Sequence, residues 1–388
     1  PARHAAPEAP GASADQVSTL AQMLAEAQTP VFLIGRVSRD EDDWARRVAL
    51  AEHFGARVIT DIKTGAAFPT RHRLHVGAPG FFLSADSVEV LKEADFVLCL
   101  DWVDPAGSLA QAAPMRDDVK VVNATLETLL ANGWSMDHQD VLASSLSILT
   151  EPDTLVAALC DRLDIEPAAS MPPTAPAPQA QKPDAILSLD ALSHVLRAGL
   201  AKDEHTLIRL PLGWDGRNCD FSGPLDYLGY DGGAGISSGP GMVVGAALAL
   251  QGTDRMPVAV LGDGDFIMGA TALWTGTHQK VPMLIVVANN RSYFNDEIHQ
   301  ERVAQDRGRP VENKHIGQAI EEPDIDIAGF ARAQGAEGIG PVETVAEFEA
   351  ALAEAVTMVR AGKAVVIDAR ILRGYVKEMA EGMTAEQD

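Results

Sequence analysis

Basic residues are scarce in this chain: 31 Lys and Arg stand against 55 Asp and Glu, a formal net charge of −24 over 388 residues. A surface of that sign repels phosphate backbones and anionic lipid headgroups, which argues against nucleic acid or a membrane as partner. Long apolar runs are lacking as well. None approaches the roughly 20 residues that span a bilayer, and nothing near the start resembles a secretory signal. Cysteine is limited to three residues: Cys99 in the strand-like F-V-L-C-L, Cys160 in an amphipathic helical stretch, and Cys219 in a loop. Without metal-type spacing they imply no disulfide framework and a reducing compartment, so a cytoplasmic location is expected. Apolar mass is not lacking: a 46% hydrophobic content and zero mean hydropathy suffice for two cores of ordinary size.

A dinucleotide fingerprint is also missing where it would be looked for. The apolar run Val258–Leu261 is broken by Gly262-Asp263-Gly264, but the third glycine of G-x-G-x-x-G would fall at position 267, which is Ile267. The acid expected at the end of the next strand is absent too, since Asn289 stands there. Both departures argue against a nicotinamide dehydrogenase. A helix-length segment from about Phe266 to Gln279 and a second apolar run, Met283–Ala288, complete a strand–helix–strand unit with parallel strands. Asp263 and Asn290 then leave the carboxyl ends of those strands, the edge where open α/β sheets bind ligands. A carboxylate, an amide oxygen and a backbone carbonyl at Ser292 are oxygen donors of the kind a hard cation takes, and magnesium borrows its remaining ligands from phosphates. The amides of Gly264 and Asp265 at the helix start would face such a phosphate. Taken singly, Gly262-Asp263-Gly264 and Asn289-Asn290 each read more readily as a turn.

Along the chain, strand and helix patterns alternate: helix 16–28, strand Val31–Arg36, helix 43–54, strand Arg57–Asp61, helix 88–93, strands 96–100 and 119–123. This pattern predicts a parallel sheet covered by helices. Five prolines with interleaved alanines fall between Glu166 and Asp184, a semi-extended linker. Beyond it come a helix from Ala185 to Leu200, a strand Thr206–Leu210 and a long Gly- and Asp-rich loop, 211–233. The glycine-rich segment Gly232–Gly241 leads into a helix Met242–Leu250, and glycines at that density let backbone approach a bulky ligand. Helices 328–336 and 344–360 and a closing strand Ala364–Ala369 follow. The expected organisation is α/β: two doubly wound parallel-sheet domains joined by a Pro/Ala-rich linker. Its parts are a mobile lead-in (1–14), a first domain (15–163), the linker (164–184), a second domain (185–376) and a polar tail (377–388).

Gly262-Asp263-Gly264, 24 intervening residues and Asn289-Asn290 match, without a gap, the signature of thiamine-diphosphate enzymes. From about residue 20 to 371 the chain resembles the superfamily of acetohydroxyacid synthase, pyruvate oxidase, benzaldehyde lyase and oxalyl-CoA decarboxylase. The resemblance makes 15–163 the central domain and 185–376 the diphosphate-binding domain. It implies thiamine diphosphate and Mg2+ as cofactors, with Asp263, Asn290 and Ser292 as metal ligands. Gly213, Gly235, Ile236, Ser237, Gly262, Gly264, Asp265 and Tyr293 complete the implied cofactor contacts, together with the three metal ligands. Ile236 takes the place of the bulky apolar residue, often Met, that props the cofactor into its bent form. Asn295, Asp296 and His299 match substrate-lining positions; a polar trio there suggests a substrate with a polar tail, and each also reads as a solvated helix residue. His278, near a helix carboxyl end, reads as a dipole partner. Some relatives hold FAD or ADP in the central domain. Gly35, Gly77 and Gly80 could line such a pocket but read more simply as turn glycines, so neither nucleotide is expected.

The implied activity is that of a C–C bond lyase or carboligase, decarboxylase-like or acetolactate-synthase-like, acting on small 2-oxo or 2-hydroxyacyl compounds. In the family a glutamate on a separate pyrimidine-binding domain acts across a subunit interface, and no such domain fits ahead of residue 15. The expected partners are therefore that domain or subunit, within a homo- or hetero-oligomer. A non-catalytic cofactor-binding subunit is the alternative. The loop Arg209–Gly216 departs from the acidic or polar residue that many relatives carry after this strand, which speaks against transferring any one activity.

Overall fold

The computed structural model describes residues 8–127, 141–168, 181–230 and 235–374. The tail 377–388, most of the proline-rich linker, the start of the lead-in and Gly232–Ala234 of the glycine-rich segment lie outside the described residues. Two compact units are present: Pro1–Ala175 with Cys219–Asp226, and Pro176–Asn218 with Tyr227–Asp388. The long loop expected wholly within the second domain thus lends Cys219–Asp226 to the first unit. There Thr70 Oγ1 donates to the Cys219 carbonyl at 2.7 Å, and Arg71 pairs with Asp220. None of the described helices is long and apolar enough to cross a membrane.

In the first unit the order is α1 (Ala14–Glu26), β1 (Pro30–Ile34), α2 (Glu41–Phe54), β2 (Arg57–Ile59), α3 (Ala85–Glu93), β3 (Phe96–Leu100), α4 (Pro105–Gln111), β4 (Lys120–Thr125), β5 (Leu146–Leu149) and α5 (Pro152–Leu163). Its five strands are parallel, in the order β2-β1-β3-β4-β5. Helix α1 starts from a capping box, Ser13 to Gln16, which satisfies amides that a bare first turn leaves open. The expected lead-in already engages the unit at Pro10, whose carbonyl accepts from Glu151 N at 3.0 Å and Thr150 Oγ1 at 3.0 Å. Strands β1 and β3 are buried at every position, and Cys99 and Cys160 are free, buried thiols.

The ends of β1 and β3, where the strand order reverses, are bridged by the chain's own charges. Arg36 Nε lies 3.0 Å from Asp101 Oδ2 and its Nη1 lies 2.9 Å from Glu127, while Thr125 donates to Asp101. Gly35 is needed there, because a Cβ would sit 2.3 Å from the Asp101 carbonyl oxygen.

The second unit runs α6 (Leu189–Gly199), β6 (His205–Ile208), α7 (Ser238–Ala249), β7 (Met256–Gly262), α8 (Asp263–Gly269), α9 (Ala272–His278), β8 (Met283–Asn289), α10 (Phe294–Asp306), α11 (Ile327–Ala333), β9 (Glu337–Val342), α12 (Val345–Arg360) and β10 (Ala364–Arg370). The sheet is again all parallel, in the order β6-β7-β8-β10-β9. Strand β10 therefore does not close the sheet: it lies between β8 and β9, and β9 forms the edge. Every residue of β8 is buried, and each fully buried Val, Leu or Ile contributes about 1.5–3 kcal/mol.

The single helix expected over 266–279 is two short ones. Ala270 and Thr271 keep right-handed backbone between them, and at Gly269 the start of α7 comes so close that a Cβ would meet the Ser237 carbonyl oxygen at 2.1 Å. Helix α7 begins four residues before Met242, so the last part of the glycine-rich segment is already its first turn.

Candidate cofactor and metal site

Strands β7 and β8 are neighbours in register, with Gly262 opposite Ala288, so their carboxyl ends release Asp263 and Asn290 side by side. Asp263 is 3% exposed. One carboxylate oxygen accepts from Gly264 N at 2.9 Å and the other from Ser292 N at 3.2 Å. Burial pushes its pKa up to about 6, against the backbone amides of Gly264, Arg291 and Ser292, which pull it down. Among the described residues no cationic side chain pairs with this carboxylate. A buried anion met only by amides lacks its countercharge, and a bound divalent cation would supply it.

Asn290 Oδ1 accepts from Ser292 N at 2.9 Å, which draws the loop into a tight turn with Arg291 in left-handed backbone. Carboxylate, amide oxygen and the Ser292 residue thus meet at one sheet edge. No group of three His, Cys, Asp or Glu that could hold a metal occurs among the described residues. The donor set is therefore mixed and short of six, which suits a cation that completes its shell with phosphate and water oxygens.

Tyr293 explains Gly264. Its ring lies so close that a Cβ on residue 264 would fall 2.3 Å from Cε1. Burial first, then the charges of Asp263 and Asp296, raise the Tyr293 pKa. Gly262 is the N-cap of α8 and has no side chain to cover the first-turn amides, although Gly264 N donates to Asp263. Gly213, at φ 84°, turns the chain after β6. Ser237 also adopts a left-handed conformation, φ 86°, at the start of α7. Its amide donates to Asp265 Oδ1 at 2.7 Å, and Gly239 N donates to the same oxygen at 3.2 Å. Ile236 is 46% exposed beside that turn, and the Gly235 carbonyl points to Arg209.

On α10, Asn295 is half-buried and Asp296 and His299 are exposed. His278 stacks on Trp274 at 4.9 Å between ring centroids.

Three residues of this edge carried no expected role. Glu297 is buried and accepts from the Ser292 hydroxyl, yet its place in F-N-D-E-I-H reads as a solvated helix position. Arg373 donates from Nε to the Asn290 carbonyl and from Nη2 to the Arg291 carbonyl, each at 3.1 Å, and pairs with Glu321 at 2.9 Å. It follows β10 with no local signal. Arg209 is 4% exposed and pairs with Asp265 at 2.9 Å; a charged residue inside the apolar run T-L-I-R-L is the sign of a buried partner.

Two all-parallel α/β units, the second bearing an oxygen-donor loop pair at its strand ends, define the class. Residues 17–125 match the thiamine pyrophosphate enzyme central domain, and residues 212–369 match the thiamine pyrophosphate enzyme C-terminal TPP binding domain. The acetolactate synthase large subunit of Corynebacterium glutamicum is 24% identical over 292 residues, covering 71% of this chain and 45% of that protein. The sulfoacetaldehyde acetyltransferase of Castellaniella defragrans is 25% identical over 356 residues, covering 84% of this chain and 58% of that protein. The chain thus spans about half the length of these curated relatives. Among solved structures, benzoylformate decarboxylase from Polynucleobacter necessarius superposes with a TM-score of 0.74 at 20% identity, covering 96% of this chain and 67% of that one; this shows likeness of fold. The chain belongs to the thiamine-diphosphate-dependent enzyme superfamily and carries its central and TPP-binding domains.

Proposed function

We propose that the second unit holds thiamine diphosphate through Mg2+, bound by Asp263, Asn290 and the Ser292 carbonyl, and that the protein is a C–C bond lyase or carboligase acting on small 2-oxo or 2-hydroxyacyl compounds. The observation that carries this reading is Asp263: a buried carboxylate met only by backbone amides among the described residues, at adjacent strand ends beside Asn290. When bound, thiamine diphosphate supplies an electron sink for breaking or forming a C–C bond next to a carbonyl.

The chain's own residues anchor, shape and shield. Asp263 gives the metal one full charge, and Asn290 and Ser292 give it neutral oxygens. Tyr293 packs its ring against Gly264 beside the metal loop. Ile236, held at the glycine-rich turn, is the apolar wedge for the cofactor's bend. Asn295, Asp296 and His299, along the first turns of α10, are the groups proposed to meet a polar substrate tail. In the first unit the switch point is spanned by Arg36 and Asp101, so we assign no FAD or ADP there.

Among the described carboxylates at the strand ends, Asp263 is given to the metal, Asp265 pairs with Arg209 and Glu297 accepts from the Ser292 hydroxyl. The acid is proposed to come from a pyrimidine-binding domain, in the same polypeptide or in another, within a cytoplasmic oligomer. Exposed apolar side chains around the glycine-rich turn and helices α7 to α9, namely Ile236, Leu248, Met268 and Trp274, support a covering partner.

The test is exchange of the cofactor's C2 proton into deuterium oxide, followed by NMR. Residues 1–388 alone are expected to exchange slowly, and addition of a pyrimidine-binding domain to speed exchange. Exchange by this chain alone at the rate of a complete family member would contradict the division of labour.

A further inference from the structure

Arg209 and Asp265 form a buried pair, 4% and 6% exposed, that joins three segments at the proposed diphosphate edge. Arg209 sits in left-handed backbone, φ 54°, directly after β6. Its Nε lies 2.9 Å from Asp265 Oδ2, its Nη2 donates to the Gly235 carbonyl at 2.7 Å, and its Nη1 donates to the Ser238 hydroxyl. The guanidinium carbon lies 4.7 Å from the centroid of the Tyr230 ring. The other Asp265 oxygen takes the Ser237 and Gly239 amides, the first donors of α7, whose own N-cap side chain makes no capping bond. Gly239 leaves room for this: a Cβ there would stand 2.3 Å from Asp265 Oδ2.

Asp265 is two residues from the proposed metal ligand Asp263. A carboxylate in that place faces the same edge as the diphosphate and would repel it. We propose that Arg209 is a positioning and affinity-determining residue that neutralises Asp265, so that a carboxylate can pin the glycine-rich turn without excluding the diphosphate. The inference rests on the diphosphate reading of this edge and adds to it a charge balance between Arg209 and Asp265. Two roles are separated by the pair. Asp265 supplies the acceptor that holds Ser237 and Gly239, and Arg209 supplies the charge that makes that acceptor tolerable beside phosphate oxygens.

The experiment is calorimetric titration of the full chain with Mg2+–pyrophosphate and with Mg2+–thiamine diphosphate, alongside thermal melts of each variant. Arg209→Met leaves Asp265 buried beside the ligand and is expected to weaken both ligands at least 10-fold. Arg209→Lys keeps the charge and is expected to lose less. Asp265→Ser removes the repelling group together with its hold on the turn, and is expected to weaken both ligands clearly less than Arg209→Met does. The double variant Arg209→Met, Asp265→Ser should recover most of what Arg209→Met loses. Should Arg209→Met fail to fold, Asp265→Ser and Arg209→Lys decide alone. Weakening by Asp265→Ser equal to that of the arginine variants would make the pair a strut and overturn the proposal. Unchanged binding by Arg209→Met would overturn it as well. If wild type binds neither ligand, it is the diphosphate reading that fails, and with it this inference. If wild type binds and the variants do not separate, only the inference fails.

Discussion

Asp263 and Ser292 meet across adjacent strand ends: the Ser292 amide donates at 3.2 Å to a carboxylate oxygen of Asp263, and to Asn290 Oδ1 at 2.9 Å. One amide thus draws together the two side chains proposed to hold the metal. The carboxylate is pre-positioned and buried.

That burial has a pH signature. In the metal-free protein the Asp263 pKa rises from 3.8 to about 6, so the folded state binds this proton more tightly than the unfolded one. Its contribution to stability is full below pH 3.8 and is lost as the pH rises through 6, a loss of about 3 kcal/mol. Asp263→Asn is therefore expected to be more stable than wild type in EDTA at pH 7.5, with the difference shrinking toward pH 4. Urea denaturation across that range reads it directly, and a difference independent of pH would sink the assignment. Protons and Mg2+ compete for the same oxygens, so metal affinity of the wild type should fall below about pH 6.

Arg373 grips the metal loop from the far side of β8 through the Asn290 and Arg291 carbonyls. Bonds from a charged donor are worth about 1.5–3 kcal/mol each in favourable settings, and less at Arg373, which is exposed. Arg373→Ala is expected to weaken Mg2+-dependent cofactor binding by roughly 10-fold with a small fall in melting temperature. Metal affinity equal to wild type would show that the loop holds its shape unaided.

Ile236 makes no ionic contact and is half exposed, so Ile236→Ala should alter stability by no more than about 0.5 kcal/mol. In the complete enzyme it should lower kcat more than cofactor affinity, because the wedge acts on cofactor shape. An unchanged kcat would place the bend elsewhere.

The polar trio on α10 sets a substrate prediction. Apolar replacement of Asn295, Asp296 and His299 should change kcat/KM for polar relative to apolar donors by about 10-fold or more, since an unpaired polar group in a pocket costs about 1–3 kcal/mol. Equal losses for all donors would mean these residues only cover the site.

Most of the sheet framework was legible because its strands are short, apolar and bounded by glycine or asparagine. β3 falls on the expected residues, and β8 extends one residue further. β9 was not legible, since E-G-I-G-P-V has neither alternation nor β-branched density; it forms by pairing with β10 at the edge of the sheet. The split of α8 from α9 was hidden for a similar reason, as it comes from the approach of Ser237 to Gly269, 32 positions apart in the chain. At the site, the spacing of the two motifs carried Asp263 and Asn290 to one edge. Arg209, Glu297 and Arg373 were missed because their partners come from other segments or, for Glu297, because the helix context hides the burial.

One titration tests the metal-held diphosphate most directly. Calorimetry of the full chain with thiamine diphosphate should show binding in Mg2+ that disappears in EDTA and in Asp263→Ala, since without metal or carboxylate the diphosphate has no countercharge. Binding of equal affinity in EDTA, or in Asp263→Ala with Mg2+ present, would contradict it.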